Sequence, residues 1–185
     1  MWQNLSVWLH KISTGVVTLA ALVVFIVFTA LALPAQAAEM ARTTHGADSP
    51  DTSLFYSPSG LYQMAEAYGQ EGRAAYIRIR FTFDLLWPVL YTLFLTTSVS
   101  WLLRRRFSIS SRLGRLNLVP VLGMLFDYLE NICAALVMGR YPARTPVIDT
   151  LAPIFTFLKW VFVGGSFILL LTVLILALWP RKRWE

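Results

Sequence analysis

The sequence predicts an all-α integral membrane protein, a four-helix bundle, on three observations. Hydrophobic residues make up 57% of the 185 residues, and charged residues make up 14%. A soluble domain usually contains about 25% charged residues. The chain also contains four apolar runs, each near the length of about 20 residues that a bilayer-spanning helix needs. We therefore predict one membrane domain that comprises residues 1–185.

Four spanning helices are predicted from the apolar runs and from the basic residues and prolines that bound them. Their approximate limits are residues 12–33, 81–103, 116–138 and 153–179. A long outer loop is expected at residues 34–80, and a basic cytoplasmic loop is expected at residues 104–115.

The long outer loop is predicted to contain helix. Ser57 and Pro58 are the residue types that begin a helix, as N-cap and first helical residue. A short amphipathic helix is expected after them, with Gly69 and Gly72 ending it. The next helix is expected to begin near Arg73 and to continue without interruption into the second span.

The first apolar run has two interpretations. Residues 33–38 resemble the small-residue site at which a signal peptidase cuts. The apolar part of a signal peptide has about 7–15 residues, and this run is longer. The sequence therefore favours an uncleaved helix, and cleavage, which would leave three spans, is the alternative.

Basic residues predict the orientation, because Lys and Arg concentrate in cytoplasmic loops. The loop at residues 104–115 and the tail at residues 181–183 hold most of the uncompensated positive charge. Both termini are therefore predicted to face the cytoplasm, and the location is predicted to be a bacterial cytoplasmic (inner) membrane. Tryptophans favour the same orientation, since they concentrate at both membrane interfaces. Those expected at the inner interface are Trp2, Trp8, Trp101, Trp179 and Trp184, and those at the outer interface are Trp87 and Trp160.

Several functional classes are disfavoured. The formal net charge is +6, but the basic residues form short clusters beside apolar runs, which is typical of a membrane protein and not of a nucleic-acid-binding surface. Cys133 is the single cysteine, so an intrachain disulfide is excluded. His10 and His45 are far apart and lack the spacing of metal ligands. We predict no metal, no cofactor and no nucleic acid partner, and we expect membrane lipids around the chain.

Acidic residues lie within the third span, in the stretch Phe126–Asn131. Asp127 is near the midpoint of this apolar run, where an unsolvated carboxylate costs about 3–10 kcal/mol. Asp127, Glu130 and Asn131 are spaced i, i+3 and i+4, so they share one face of a helix. Charged residues in a membrane usually face the bundle interior. We therefore predict a polar site there.

Other spans carry polar residues at the same level. Counted from the outer end of the second span, Asp84 is about 5 Å deep and Tyr91 about 15 Å deep, while Glu130 is about 12 Å deep in the third span. The Tyr91 hydroxyl is thus a candidate donor to Asp127 or Glu130. The ammonium of Lys159 is expected to reach toward Glu130 or Asp84. The predicted ligand-binding residues are Asp84, Tyr91, Asp127, Glu130, Asn131 and Lys159.

Structural interpretations of these residues remain open. Asp84 can favour the positive end of a helix dipole near headgroup level, and Lys159 can snorkel to the interface. The acids of the third span, with Asn131, can form an ion network that only stabilises the bundle.

The chain resembles a group of bacterial four-span membrane proteins without an established activity. The shared motifs are Gly69-x-x-Gly72-Arg73-x-x-Tyr76, Asp84-x-x-x-Pro88, Asp127-x-x-Glu130-Asn131, Tyr141-Pro142 and Lys159-Trp160. They cover residues 57–160, and the resemblance implies an architecture and no particular chemistry.

A weaker similarity is to the EXPERA-type four-helix proteins, the class of the sterol isomerases and the sigma-2 receptor. Asp84 followed by Pro88 is loosely similar to the acid-bearing second helix of that class. The His and second acid of the isomerases are not found here. This similarity therefore implies a shared architecture only.

Three functions are consistent with these patterns. The first is a membrane protein that binds a lipid or a small amphipathic or cationic ligand at an acidic site in the outer half of the bundle. The second is an accessory or assembly subunit of a larger membrane complex, with the acids as a structural ion network. The third is a membrane-embedded acid–base enzyme, although no catalytic residue is predicted. A proton or ion path is disfavoured, because the inner half lacks matching ionisable groups.

Overall fold

The computed structural model describes residues 2–109 and 111–179, which form seven α-helices, two short 3-10 helices and no strand. The predicted tail residues 181–183 and Trp184 lie outside the described residues. The helices are α1 (Trp2–Ile12), α2 (Gly15–Thr43), α3 (Pro58–Ala67), α4 (Gly69–Arg80), α5 (Phe83–Leu103), α6 (Val119–Arg140) and α7 (Ile148–Leu178). The 3-10 helices cover Pro50–Thr52 and Leu113–Leu118. The predicted all-α class is confirmed.

Four helical segments are long and apolar enough to cross a membrane, as the sequence predicts. They are Gly15–Thr43, Gly69–Leu103, Leu113–Arg140 and Ile148–Leu178. Helix α5 is central, since it packs against α2, α6 and α7, and the most extensive interface joins α6 to α7. Gly123 permits this close approach, because a Cβ atom there would lie 2.9 Å from Cγ2 of Val163.

The bundle has two chemically different ends. We call the end formed by residues 2–14 and 104–118 the basic end, and the end formed by residues 44–82 and 141–147 the loop end. At the loop end, α3 and α4 bury apolar and aromatic side chains against α6. The loop segment is therefore packed onto the bundle as part of its core.

Helix α2 continues past the predicted end of the first span. The sequence predicts that this span ends at residue 33 and that the outer loop begins at Pro34, but the helix extends to Thr43 with Pro34 inside it. Residues 35–43 include Ala, Gln, Glu, Met and Arg, which are good helix formers, and a proline inside a spanning helix is tolerated. Residues 34–43 are thus helical, which corrects the predicted loop boundary.

The segment before the second span also differs from the prediction. Helix α4 begins at Gly69, where φ is +62°, instead of near Arg73. Gly72 does not end a helix but lies buried within α4. The helix then stops at Arg80, and α5 begins at Phe83, so the expected continuous helix is interrupted at residues 81–82.

Helix α1 was not predicted, and it docks at the basic end through buried polar side chains. The amide of Asn117 donates to the Ser6 carbonyl at 3.1 Å and to the Ser100 hydroxyl at 3.0 Å. The Ser6 hydroxyl donates to Oδ1 of Asn117 at 2.8 Å. The ring nitrogens of His10 lie 3.1 Å and 2.9 Å from the carbonyl oxygens of Ser100 and Gly114.

Candidate ligand-binding site

Asp127 is held by two donors from different helices. The Tyr91 hydroxyl on α5 donates to Oδ2 of Asp127 at 3.0 Å. The side-chain amide of Asn131, one turn further along α6, donates to Oδ1 at 3.1 Å. The carboxylate is buried, and both of its oxygens accept a hydrogen bond. The contact expected between Tyr91 and Asp127 is therefore present.

Glu130 and Lys159 form an ion pair between α6 and α7. Glu130 is 0% exposed and Lys159 is 6% exposed. Lys159 therefore does not snorkel, and its ammonium reaches Glu130 as the sequence suggests. The second oxygen of Glu130, Oε1, is buried and has no hydrogen-bond partner among the described residues.

Arg80 is a member of the site that the sequence analysis did not identify. Its guanidinium lies at the end of α4, with the side chain only 4% exposed, and pairs with Asp51 and, at 3.0 Å, with Asp84. It also donates to Oδ1 of Asn131 at 3.1 Å and lies 4.5 Å above the ring of Tyr76. The interruption after Arg80 lets α4 end inside the bundle, which places this charge among the acids.

Asp51 comes from the long loop and was also missed. It pairs with Arg80 and lies 3.6 Å from Nζ of Lys159, while its side chain keeps 25% exposure. Burial acts to raise the pKa of Asp51, but the charges of Arg80 and Lys159 hold it below its ordinary value. Asp51 is therefore an ionised bridge between the loop and two helices.

Six ionisable residues form one ion network with more acids than bases. Five are joined by ion pairs, and Asp127 is connected through Asn131, which donates to Asp127 and accepts from Arg80. The acids are Asp51, Asp84, Asp127 and Glu130, and the bases are Arg80 and Lys159. With every member ionised, four negative charges face two positive charges. Buried charge without a counter-charge is costly, so the network favours an additional cation or bound protons.

A cavity of about 700 Å³ opens beside the ion network. Its polar end is formed by Asp51, Arg80, Asp84, Tyr91, Asp127 and Lys159. Its remaining walls are largely apolar and include Phe25, Leu33, Phe83, Trp87, Val163 and Phe167. Binding sites for small molecules usually have about 300–1,000 Å³ and combine apolar walls with a few polar groups.

The predicted site residues divide into two groups at this cavity. Asp84, Tyr91, Asp127 and Lys159 line the wall, whereas Glu130 and Asn131 lie behind it in the network. Trp87, which the sequence predicts at the outer interface, lines the cavity and stacks with Phe25 at 5.6 Å and Phe83 at 5.9 Å.

The cavity wall offers hydrogen-bond acceptors that are not saturated. Asp84 is 7% exposed, and its one ion pair among the described residues is with Arg80. Oε1 of Gln36, on α2, is buried in the cavity wall without a partner in the described part of the chain. Acceptors left open in this way suit a ligand that donates hydrogen bonds.

The two missed residues differ in how well the sequence signals them. Arg80 and Asp84 are spaced i, i+4, which is a recognisable ion-pair spacing, so Arg80 could have been found. Asp51 lies in the short 3-10 helix Pro50–Thr52, within a long connecting segment whose composition has no periodic pattern. Its place in the network depends on the tertiary fold.

The chain has no matching protein-family model, no matching curated protein and no matching solved structure.

Within the described residues, no group of three or more His, Cys, Asp or Glu side chains is arranged to hold a metal ion. The arrangement is suited to binding a cation next to an apolar surface.

Proposed function

We propose that this protein binds a small amphipathic ligand with a cationic group in the cavity between α2, α5 and α7. The observation that carries the proposal is the change along the cavity wall from aromatic side chains to an ion network with two excess acids. The apolar part of the ligand would pack on Phe25 and Trp87. Its cationic group would lie near Asp84 and Asp127, where it would offset the excess negative charge.

We also propose that both termini face the cytoplasm of a bacterial cell, with the site in the outer half of its cytoplasmic membrane. The basic end carries Lys11 and the five arginines of residues 104–115, with no acid among residues 2–14 and 104–118. The loop end carries both signs of charge. Because Lys and Arg concentrate in cytoplasmic loops, this asymmetry supports that orientation.

Equilibrium binding to nanodiscs tests the ligand proposal. Three isotopically labelled probes with one chain length would be used: hexadecylammonium, hexadecyl sulfate and hexadecanol. We expect saturable binding of the cation at one per chain above empty discs, with the anion and the neutral alcohol at least about tenfold weaker.

Asp127→Asn should reduce cation binding, since it removes one negative charge from the cavity wall. Glu39→Gln is the matched control, because Glu39 pairs with Arg42 on the exposed part of α2. Equal binding of all three probes, or unchanged cation binding in Asp127→Asn, would overturn the proposal.

A subunit of a larger complex is the second candidate, and the exposed surfaces of α2 and α7 favour it. Only 6% of the residues in the apolar segment of α2, and 11% of those in the apolar segment of α7, are buried within the chain. Lipid or partner helices would cover this surface. Native mass spectrometry of gently solubilised membranes tests it, and a partner protein in fixed stoichiometry is the expected result.

The third candidate, an acid–base enzyme, is less well supported. It requires a protonated acid as donor to a substrate. Asp127 accepts hydrogen bonds on both oxygens, from Tyr91 and Asn131, and this arrangement suits an ionised acceptor.

A further inference from the structure

The cavity is covered where it approaches the loop end. Residues of the segment 44–52 line it, among them Thr44, Ala47 and Thr52. This segment is fixed by the ion pairs of Asp51 with α4 and α7, and by the Tyr68 hydroxyl, which donates to the Asp48 carbonyl at 2.8 Å. We call residues 44–52 the cover.

The side of the cavity lacks such a cover. Helix α5 packs against both α2 and α7. Helix α2 also packs against α4, and α7 also packs against α6, α3 and the 3-10 helix Pro50–Thr52. The two flanking helices therefore form a groove with α5 as its floor, and they do not form a packed interface with each other. The edges of this groove are apolar and exposed. Leu33 is 36% exposed, Trp160 is 37% exposed and Phe167 is 42% exposed. In a membrane, this opening faces the hydrocarbon region.

The groove continues beyond the ion network toward the basic end. Lys159 and Phe167 both line the cavity on α7, and they are separated by about 12 Å of helix rise. Phe25 lines the same deep part from α2. The apolar part of the cavity is thus elongated along α7, between α7 and α2. A hydrocarbon chain can lie along this elongated part, and any further length of it can pass between α2 and α7 into the bilayer.

We infer that the ligand is a single-chain lipid-like amine that reaches the site from the bilayer, sideways between α2 and α7. This inference rests on the proposed function and specifies its ligand class and route. A primary ammonium can donate to the carboxylate of Asp84, whose Oδ2 is paired with Arg80, and to Oε1 of Gln36, which has no partner among the described residues. The hydrocarbon chain occupies the elongated apolar part of the cavity while the ammonium lies at the level of Lys159.

The test uses the complete chain in phosphatidylcholine nanodiscs, with labelled hexadecylammonium as probe and butylammonium as a competitor that has the same head and no long chain. Ala37→Trp places a large side chain at the groove, because Ala37 lines the cavity from α2. Ala38→Trp is the control, since Ala38 is exposed on the same helix and is not part of the cavity wall.

We expect Ala37→Trp to weaken hexadecylammonium binding at least tenfold and Ala38→Trp to change it less than twofold. Millimolar butylammonium should not displace the long-chain probe. If butylammonium displaces the long-chain probe and binds equally to the wild type and Ala37→Trp, the lateral route is wrong. The proposed cationic site would not be contradicted by this result. Binding no greater than that to empty discs would overturn both.

Thermal unfolding in detergent shows whether Ala37→Trp is folded as stably as the wild type. If this variant unfolds at the wild-type temperature and still binds as well as the wild type, the lateral route is contradicted. A variant Ala37→Leu, with a smaller added side chain, should bind with intermediate affinity if obstruction of the groove is the cause.

Discussion

Asp51 lies on a loop, and its Oδ1 atom is 3.6 Å from the Nζ atom of Lys159 in the interior of α7. The same carboxylate is paired with Arg80 at the end of α4. One loop residue therefore connects two helices at the level of the cavity. We expect the position of the cover to depend on the negative charge of this residue.

Acid is expected to release the cover. Burial acts to raise the pKa of Asp51, but Arg80 and Lys159 hold it below its ordinary value. A group with a lowered folded-state pKa stabilises the folded form above its unfolded pKa, about 4, and loses this effect as the pH falls through the folded-state pKa. Hydrogen exchange of the amides of residues 44–52, corrected for intrinsic rates, should therefore accelerate below about pH 4.

The matched variants for this prediction are Asp51→Asn and Asp48→Asn. Asp51→Asn should exchange rapidly at pH 7, with little further acceleration in acid. Asp48→Asn should behave as the wild type, because the Asp48 side chain has no ion pair among the described residues. The same acid-dependent acceleration in Asp51→Asn and the wild type would show that another group controls the cover.

Loss of Lys159 should destabilise the bundle more than loss of the whole pair. Glu130 is 0% exposed, and Lys159 is its one ion-pair partner in the described part of the chain. Removing one partner of a buried pair costs about 3–5 kcal/mol, whereas neutral replacement of both is often tolerated. Lys159→Met should therefore lower the unfolding free energy strongly, and adding Glu130→Gln should restore most of the loss.

Denaturant unfolding in mixed micelles measures this double-mutant cycle. A double variant no more stable than Lys159→Met would mean that the ammonium stabilises the bundle mainly through its contact with Asp51.

Gly72 should not tolerate a side chain. A Cβ atom there would lie 2.6 Å from the carbonyl oxygen of Thr43 and 3.0 Å from Cβ of Tyr68. Gly72→Ala must therefore separate α4 from the end of α2, and overpacking of this kind costs about 1–3 kcal/mol. Gly164→Ala is the control, because nothing lies within 4 Å of its Cβ position. Equal melting temperatures for the two variants would contradict the close contact.

Asn117 is expected to hold α1 against the bundle. It is 0% exposed and joins Ser6 of α1 to Ser100 of α5. Asn117→Ala leaves buried polar groups without partners, at a cost of about 1–3 kcal/mol. Hydrogen exchange in α1 should accelerate about 5- to 150-fold at this cost. Gln3→Ala removes only an exposed contact with Arg115 and should leave α1 protected.

The sequence predicts the helical framework well because its signal is local. Apolar runs define the four spans, and i, i+3 and i+4 spacing brings Asp127, Glu130 and Asn131 onto one face. Helix rise alone places Tyr91 at the level of Asp127, and the 3.0 Å hydrogen bond between them is present.

The remaining features depend on tertiary structure. The interruption at residues 81–82 ends α4 where Arg80 can enter the core, but Thr82 and its neighbours carry no helix-breaking residue. Asp51 reaches the network because an irregular loop is folded over the cavity. Helix α2 extends beyond Pro34 because the helix-forming residues after it outweigh the helix-breaking effect of the proline. The close packing of Thr43 on Gly72 further stabilises this end of the helix.

The contact between the cationic head of the ligand and the cavity carboxylates is tested most directly by a distance measurement. Rotational-echo solid-state NMR can detect dipolar coupling between ¹⁵N-labelled hexadecylammonium and ¹³Cγ-labelled aspartate in nanodiscs. We predict coupling that corresponds to a contact of about 4 Å or less, the separation of an ion pair, and its loss or strong reduction in Asp84→Asn. A bound ammonium without coupling to any aspartate, or with coupling unchanged in Asp84→Asn and Asp127→Asn, would contradict the account.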